Sequence, residues 1–186
     1  VGGVLGLLLG SRSGRRLGGS AIKLGSVAAL GMLAWKTYNE WQAQQAQQAA
    51  TGSAPAPAAT QIAPPALPAP QADAHGRALL KAMIAAAKSD GHLDEREREL
   101  VQAELRRTQA GDELSNWVQA ELQQPVSATV VAAQASGPEM AAEIYLASVL
   151  VVDETTAPER AYLDELAQAL RLAPSLQADL EARARA

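Results

Sequence analysis

From Asp73 onward, large apolar residues recur at three- and four-residue intervals, the period of helices that bury one stripe, and strand-like alternation is nearly absent. Leu79, Leu80, Met83, Ile84 and Ala87 form a first stripe, after which Gly91 can take the left-handed conformation that ends a helix. Asp94, with Glu97 three residues on, makes a D-x-x-E variant of the capping box, and Leu100, Val101 and Leu105 carry a second stripe until Gly111. Leu114, Trp117, Val118 and Leu122 predict a shorter helix stopped by Pro125, and residues 127–134 suit another brief one. Pro138 fits the first turn of a longer helix with Met140, Ile144, Ala147, Ser148 and Val151 inward. Thr156 and Glu159 form another capping box ahead of Leu163, Leu166 and Leu170, and Pro174 opens a last helix carrying Leu176 and Leu180. Residues 73–186 are therefore expected to be an all-α, compact bundle of about six or seven short helices.

The pattern before Asp73 is different. Residues 1–10 are wholly apolar but too short to cross a hydrocarbon core of about 30 Å, which takes around 20 helical residues. Residues 17–35 are 19 in number with a single charge, Lys23, whose aliphatic stem lets the ammonium reach the headgroups. Trp35, Tyr38 and Trp41 follow at three-residue spacing, as an aromatic belt at a membrane exit would. Gly2, Gly6, Gly10, Gly14 and Gly18 recur every four residues, a stripe that favours close helix pairing and hence homo-oligomerisation. Residues 1–41 are read as a glycine-rich, membrane-associated segment with a transmembrane helix at 17–35. A soluble flexible tail is the alternative, and a cleaved signal peptide is disfavoured because the basic residues lie between the apolar runs.

Residues 42–72 are almost entirely Ala, Gln and Pro, with six of the chain's 10 prolines and no charge. Such a composition lacks the large apolar side chains that offset chain ordering, so a disordered or polyproline linker is expected, able to hold a domain away from a bilayer. A Gln/Ala helix continuing from Trp41 to about residue 50 is the alternative for its first part.

Charge sharpens the division. Residues 1–41 carry +4 and residues 73–186 carry −8. The acidic part repels phosphate backbones, which argues against nucleic acid as a partner, while the basic, apolar N-terminus points to membrane lipid. Arg12, Arg15 and Arg16 precede the expected span, and the positive-inside tendency would keep them cytoplasmic and send the bundle to the other side. With no cysteine and only His75 and His92, thiolate chemistry and cysteine-type metal sites are excluded and imidazole chemistry is scarce. No phosphate loop, nucleophile elbow or positioned base is visible, so no catalytic residue is assigned and the chain is not expected to be an enzyme.

Two helix junctions are built alike, each with an Asp ending an apolar helix and a Glu opening the next: Asp90 with Glu97, and Asp153 with Glu159. Converging carboxylates there, with Asp94, would offer oxygen ligands to calcium or magnesium. Helix capping is the competing use of the same acids, since a carboxylate near a helix N-terminus gains about 0.3–1 kcal/mol from the dipole.

A-M-I-A-A-A-K-S-D-G-H-L-D-E-R-E from Ala82, A-E-I-Y-L-A-S-V-L-V-V-D from Ala142 and E-R-A-Y-L-D-E-L-A-Q-A-L-R-L from Glu159 resemble the YebE-type bacterial inner-membrane family, a domain of unknown function. G-S-R-S-G-R-R-L-G-G-S and A-A-L-G-M-L-A-W-K-T-Y in the N-terminal part are similar to it as well. That domain is similar to the tellurite-resistance TerB-like fold, and the resemblance implies an all-helical bundle with an acidic metal site. The matching acids are Asp90, Glu97, Asp153 and Glu159, with Asp94 a neighbour; the second motif lacks a Gly after its Asp, and its Glu comes one residue early. No activity is implied. The expectation is a membrane-tethered interaction or sensor module at the bacterial inner membrane, binding a partner protein and a divalent cation, with envelope stress or metal tolerance as its setting. A metal-dependent hydrolase is the alternative.

Overall fold

The computed structural model describes residues 27–49, 69–91, 112–152 and 156–185. Among the described residues are seven helices and no strand: α1 (Val27–Ala49), α2 (Ala69–Ala87), α3 (Asp112–Gln123), α4 (Ala128–Ala132), α5 (Pro138–Val149), α6 (Ala157–Ala169) and α7 (Pro174–Arg185). The D-x-x-E box at Asp94 and the stripe of Leu100, Val101 and Leu105 lie outside the described residues.

The core is organised around α5. A surface helix leaves one face in water, but residues 141–149 of α5 are all buried. The helix touches α1, α2, α4, α6 and α7. The expectation of a single inward stripe on this helix is therefore too narrow. Ala141 and Ala142 are small enough for neighbours to approach on the sides that the stripe leaves free. The other stripes fall where their spacing predicts: Leu79, Leu80, Met83 and Ile84 of α2, Val118 and Leu122 of α3, Leu163 and Leu166 of α6, and Leu176 and Leu180 of α7 are all buried.

Helix boundaries follow local chemistry. The Ser127 hydroxyl accepts from Val130 N at 3.4 Å and caps α4, and Thr156 caps α6 in the same way through Glu159 N. Gly91 closes the turn after α2 with φ +79°, and its amide donates to Lys88 O at 2.9 Å. At the end of α6 it is an arginine, Arg171, that stands in the left-handed region, at φ 56°. The amide of Arg171 donates to Gln168 O and that of Leu172 to Ala167 O, both at 3.0 Å, the paired bonds of a Schellman ending.

The largest departure from the sequence expectation concerns α1. It packs along α5 and α7 and is a member of the bundle. Ala34, Thr37 and Tyr38 are buried at helical spacing, while Leu33 and Trp41 are partly buried against the same core. Polar contacts fix the docking: the Trp41 indole donates to Ser175 Oγ at 2.7 Å, and the Arg183 guanidinium pairs with Glu40. Tyr38 and Trp41, expected at a membrane exit, thus meet protein, with their ring centroids 6.0 Å apart. Of the expected span at 17–35, residues 17–26 lie outside the described residues and the rest forms the first turns of α1. No helix among the described residues is long and apolar enough to cross a membrane.

The linker reading changes with it. α1 continues to Ala49, the alternative course for residues 42–49, and α2 begins at Ala69. Both helices pack on α5, and residues 50–68, the middle of the expected linker, lie outside the described residues.

Candidate functional site

Two polar clusters are set into the apolar interior. In the first, the Tyr145 hydroxyl of α5 donates to Glu181 Oε1 of α7 at 2.7 Å. The Gln177 amide donates to the same oxygen at 3.1 Å, and the Arg160 guanidinium of α6 reaches both carboxylate oxygens at 3.0 and 3.2 Å. Arg160 also pairs with Asp164 at 2.6 Å, and Arg185 with Glu181 at 3.2 Å. Burial alone would raise the Glu181 pKa, but the donors from Arg160, Tyr145 and Gln177 outweigh it and hold the carboxyl down to about 2. Burial pushes the Tyr145 phenol well above its ordinary value, and its bond to the Glu181 carboxylate adds to the effect. This cluster ties α5, α6 and α7 together and keeps its carboxylate ionised across the physiological range.

In the second cluster, the His75 Nε2 of α2 pairs with Glu143 Oε2 of α5, with side-chain exposures of 17% and 10%. The hydrogen bond to Glu143 raises the His75 pKa, against an opposing effect of burial. A half-buried imidazolium beside a carboxylate is thus favoured. The Tyr162 hydroxyl of α6 is buried with no hydrogen-bond partner among the described residues. The Ser148 hydroxyl donates to Ile144 O at 3.0 Å in its own helix.

The sequence-derived cation ligands are only partly described. Asp94, Glu97 and Asp153 lie outside the described residues. Asp90 sits in the turn after α2, half-buried. Glu159 occupies the first turn of α6, where its carboxylate accepts from the Thr156 hydroxyl while the same hydroxyl accepts from Glu159 N at 3.4 Å. Glu159 thus serves its helix N-terminus, the capping alternative. Among the described residues, no three His, Asp or Glu side chains come together as a metal site would require.

Sequence reasoning passed over His75, Glu143 and Glu181. One signal was legible: Glu143 interrupts the apolar run of residues 140–147, and a carboxylate inside a helix with no wet face needs a partner. Nothing in the sequence names that partner, because His75 lies 68 residues away.

A cleft of about 220 Å³ opens between α2, α3 and α4. Lys81, Lys88 and Glu121 line it together with Pro125, Val126 and Val130. Lys81 Nζ pairs with Glu121 Oε1 at 2.9 Å. Lys88 Nζ donates to Glu121 O at 3.3 Å and to Gln124 O, so its charge sits on carbonyls at the end of α3, where the helix dipole favours a cation. Val130 is 50% exposed and Val126 36%; with Met32, they are the large apolar side chains most open to solvent among the described residues.

Comparison with known proteins gives a family and no activity. Residues 1–184 match the family described as a protein of unknown function (DUF533). An uncharacterized protein in the ampR 5′ region of Yersinia enterocolitica is 30% identical over 103 residues, covering 55% of this chain and 74% of that protein. No solved structure matches. The match over residues 1–184 takes in the apolar N-terminus and the helical bundle alike, and the chain belongs to the DUF533 family.

Proposed function

We propose that this chain is a non-catalytic interaction module, held at the bacterial inner membrane through its apolar N-terminal segment and presenting an acidic helical bundle to a partner protein. The observation that carries the reading is the position of α1. Its sequence runs on directly from residues 17–26, and its own buried face, Ala34, Thr37 and Tyr38, is seated on α5 and α7. A tether of that kind holds the bundle close to the surface to which it is anchored. The use of the ionisable groups supports binding over catalysis, because Glu181, Arg160, His75 and Glu143 join helices to one another. The TerB-like character of the bundle belongs to the same proposal; the D-G-H-L-D and E-R-A-Y-L motifs and the all-helical architecture support it.

Fractionation and cross-linking of the full chain in its native membranes test this. The chain is expected to stay with carbonate-washed membranes, and Leu17→Asp with Leu24→Asp to release it, since both positions fall in the apolar run of residues 17–35. Leu33 is unsuitable for this test because it packs against the bundle core. Cross-linking of the washed membranes is expected to join the chain to a second protein that recovers it when tagged in turn. A chain that remains in the supernatant, or cross-links only to itself, overturns the reading.

A further inference from the structure

We propose that the outward side of the first turns of α1, at Met32 and Trp35, is seated in the acyl–headgroup boundary of a phospholipid bilayer, so that the bundle lies against the membrane surface and does not hang at a distance from it. The proposal rests on the reading of the N-terminal segment as a membrane anchor and adds the depth and orientation at which the bundle is held. Position along the helix is the first argument. Residues 17–31 carry a single charge, Lys23, and lead directly into Met32. Met32 is 58% exposed, the most open of the large apolar side chains among the described residues, and Trp35, three residues on and so on the same side of the helix, is partly exposed. Ala34 lies only about 3 Å from Met32 along the axis and is fully buried. At one height, then, α1 has protein on one side and an open apolar surface on the other. An anchor in the bilayer puts lipid at that height, which leaves the protein that covers Ala34 no room to stand off the surface.

The change of chemistry along α1 is the second argument. Ionic groups begin at Lys36, whose Nζ lies 3.8 Å from Glu40 Oε1, and Glu40 pairs in turn with Arg183 of α7. Residues 42–47 are Ala and Gln, all exposed. The helix thus passes from apolar to ionic to uncharged polar within a few turns, the order met on leaving acyl chains for headgroups and then water, and an indole at the first step suits that boundary. Two polar side chains in these turns bond back to their own helix: the Thr37 hydroxyl donates to Leu33 O at 2.9 Å and the Asn39 amide to Trp35 O at 2.8 Å. Donors used in this way lower the cost of poorly hydrated surroundings. A second copy of the chain fits this side less well, because a stable protein interface buries about 800 Å² per partner and Met32 with Trp35 supplies two large side chains before the ionic groups begin.

The test is depth measurement by nitroxide spin labels on the full chain in vesicles of phosphatidylcholine and phosphatidylglycerol. The chain has no cysteine, so Met32→Cys, Lys36→Cys, Gln42→Cys and Val130→Cys each give one label, and all four positions are exposed. Contact of each label with oxygen, which concentrates among acyl chains, is compared with its contact with a water-soluble nickel chelate. The oxygen-to-chelate ratio is expected to be at least fivefold higher at position 32 than at position 130, intermediate at 36, and the same at 42 as at 130. Vesicles with dibrominated acyl chains give a second readout that needs no cysteine: they are expected to quench tryptophan emission of the unsubstituted chain, Trp35→Phe to remove most of that quenching, and Trp117→Phe to leave it. A chain that floats with the vesicles but shows equal ratios at 32 and 130, or quenching that persists in Trp35→Phe, overturns the proposal and leaves the anchor standing. Broadening of the position 32 spectrum that vanishes on dilution with unlabelled chain shows a second copy on this side and overturns it too. A chain that does not float with the vesicles overturns the anchor reading itself, and the proposal with it.

Discussion

The Tyr145 hydroxyl donates to Glu181 Oε1 at 2.7 Å across the contact of α5 with α7, and it is one of the donors that keep this carboxylate ionised in the bundle. The Tyr162 hydroxyl is buried too, but without a partner among the described residues. The two phenols should therefore respond oppositely to loss of the oxygen. Tyr145→Phe leaves a buried carboxylate short of a donor and is expected to cost about 1–3 kcal/mol, while Tyr162→Phe removes a hydroxyl that has no partner among the described residues and is expected to be neutral or stabilising. Denaturant unfolding of the two variants checks this, and equal losses would refute it.

His75 and Glu143 make the stability of the bundle depend on pH. The folded pKa of His75 lies above its ordinary value of 6.5 because of the hydrogen bond to Glu143. The stabilisation is then fully present below about 6.5 and is lost as pH rises through the higher, folded value. Unfolding midpoints should fall from pH 6 to pH 8.5, and Glu143→Gln should flatten that part of the profile while lowering stability at pH 6 by about 1–3 kcal/mol. An unchanged slope in the variant would show that another group titrates.

Arg171 holds φ 56° at the end of α6, where side chains other than glycine are strained. Its amide bonds belong to the backbone and survive substitution. Arg171→Gly is expected to raise stability by about 1 kcal/mol, because a left-handed residue with a Cβ costs roughly that much more than glycine. A drop in the thermal midpoint would mean that the side chain contributes more than its backbone costs.

The capping role of Thr156 and Glu159 separates from cation binding by experiment. Thr156→Ala removes the oxygen that accepts from Glu159 N and is expected to cost about 1 kcal/mol. The cost should be the same after chelation and in millimolar calcium or magnesium. A difference that appears only with the cation would assign the Glu159 carboxylate to a metal.

Much of the bundle was legible because its signals are local. The stripe from Leu79 to Ile84, the stop at Pro125, Pro138 at a first turn and the box at Thr156 each sit within a few residues of what they specify. What was missed depends on distant partners. The apolar, aromatic start of α1 reads equally well as a membrane edge or as a helix face against protein, and only the contacts with α5 and α7 decide between them for Ala34, Tyr38 and Trp41. The pair of His75 with Glu143 and the cluster around Glu181 join elements 68 and 36 residues apart, and no periodicity encodes such a meeting. The cleft is a product of three helices and has no motif of its own.

In the proposed arrangement, α1 is at once the continuation of a membrane anchor and a packed member of the bundle. Glu40 of α1 pairs with Arg183 of α7, and the chain contains no cysteine, so Glu40→Cys with Arg183→Cys places two thiols on facing helices with no competitor. The most direct measurement is treatment of native membranes containing this variant with a short bismaleimide, followed by carbonate washing and mass spectrometry of the pellet. An intrachain cross-link between positions 40 and 183 is expected in the washed pellet. A pellet in which the chain is present but uncross-linked, or a cross-linked chain found only in the supernatant, would contradict it.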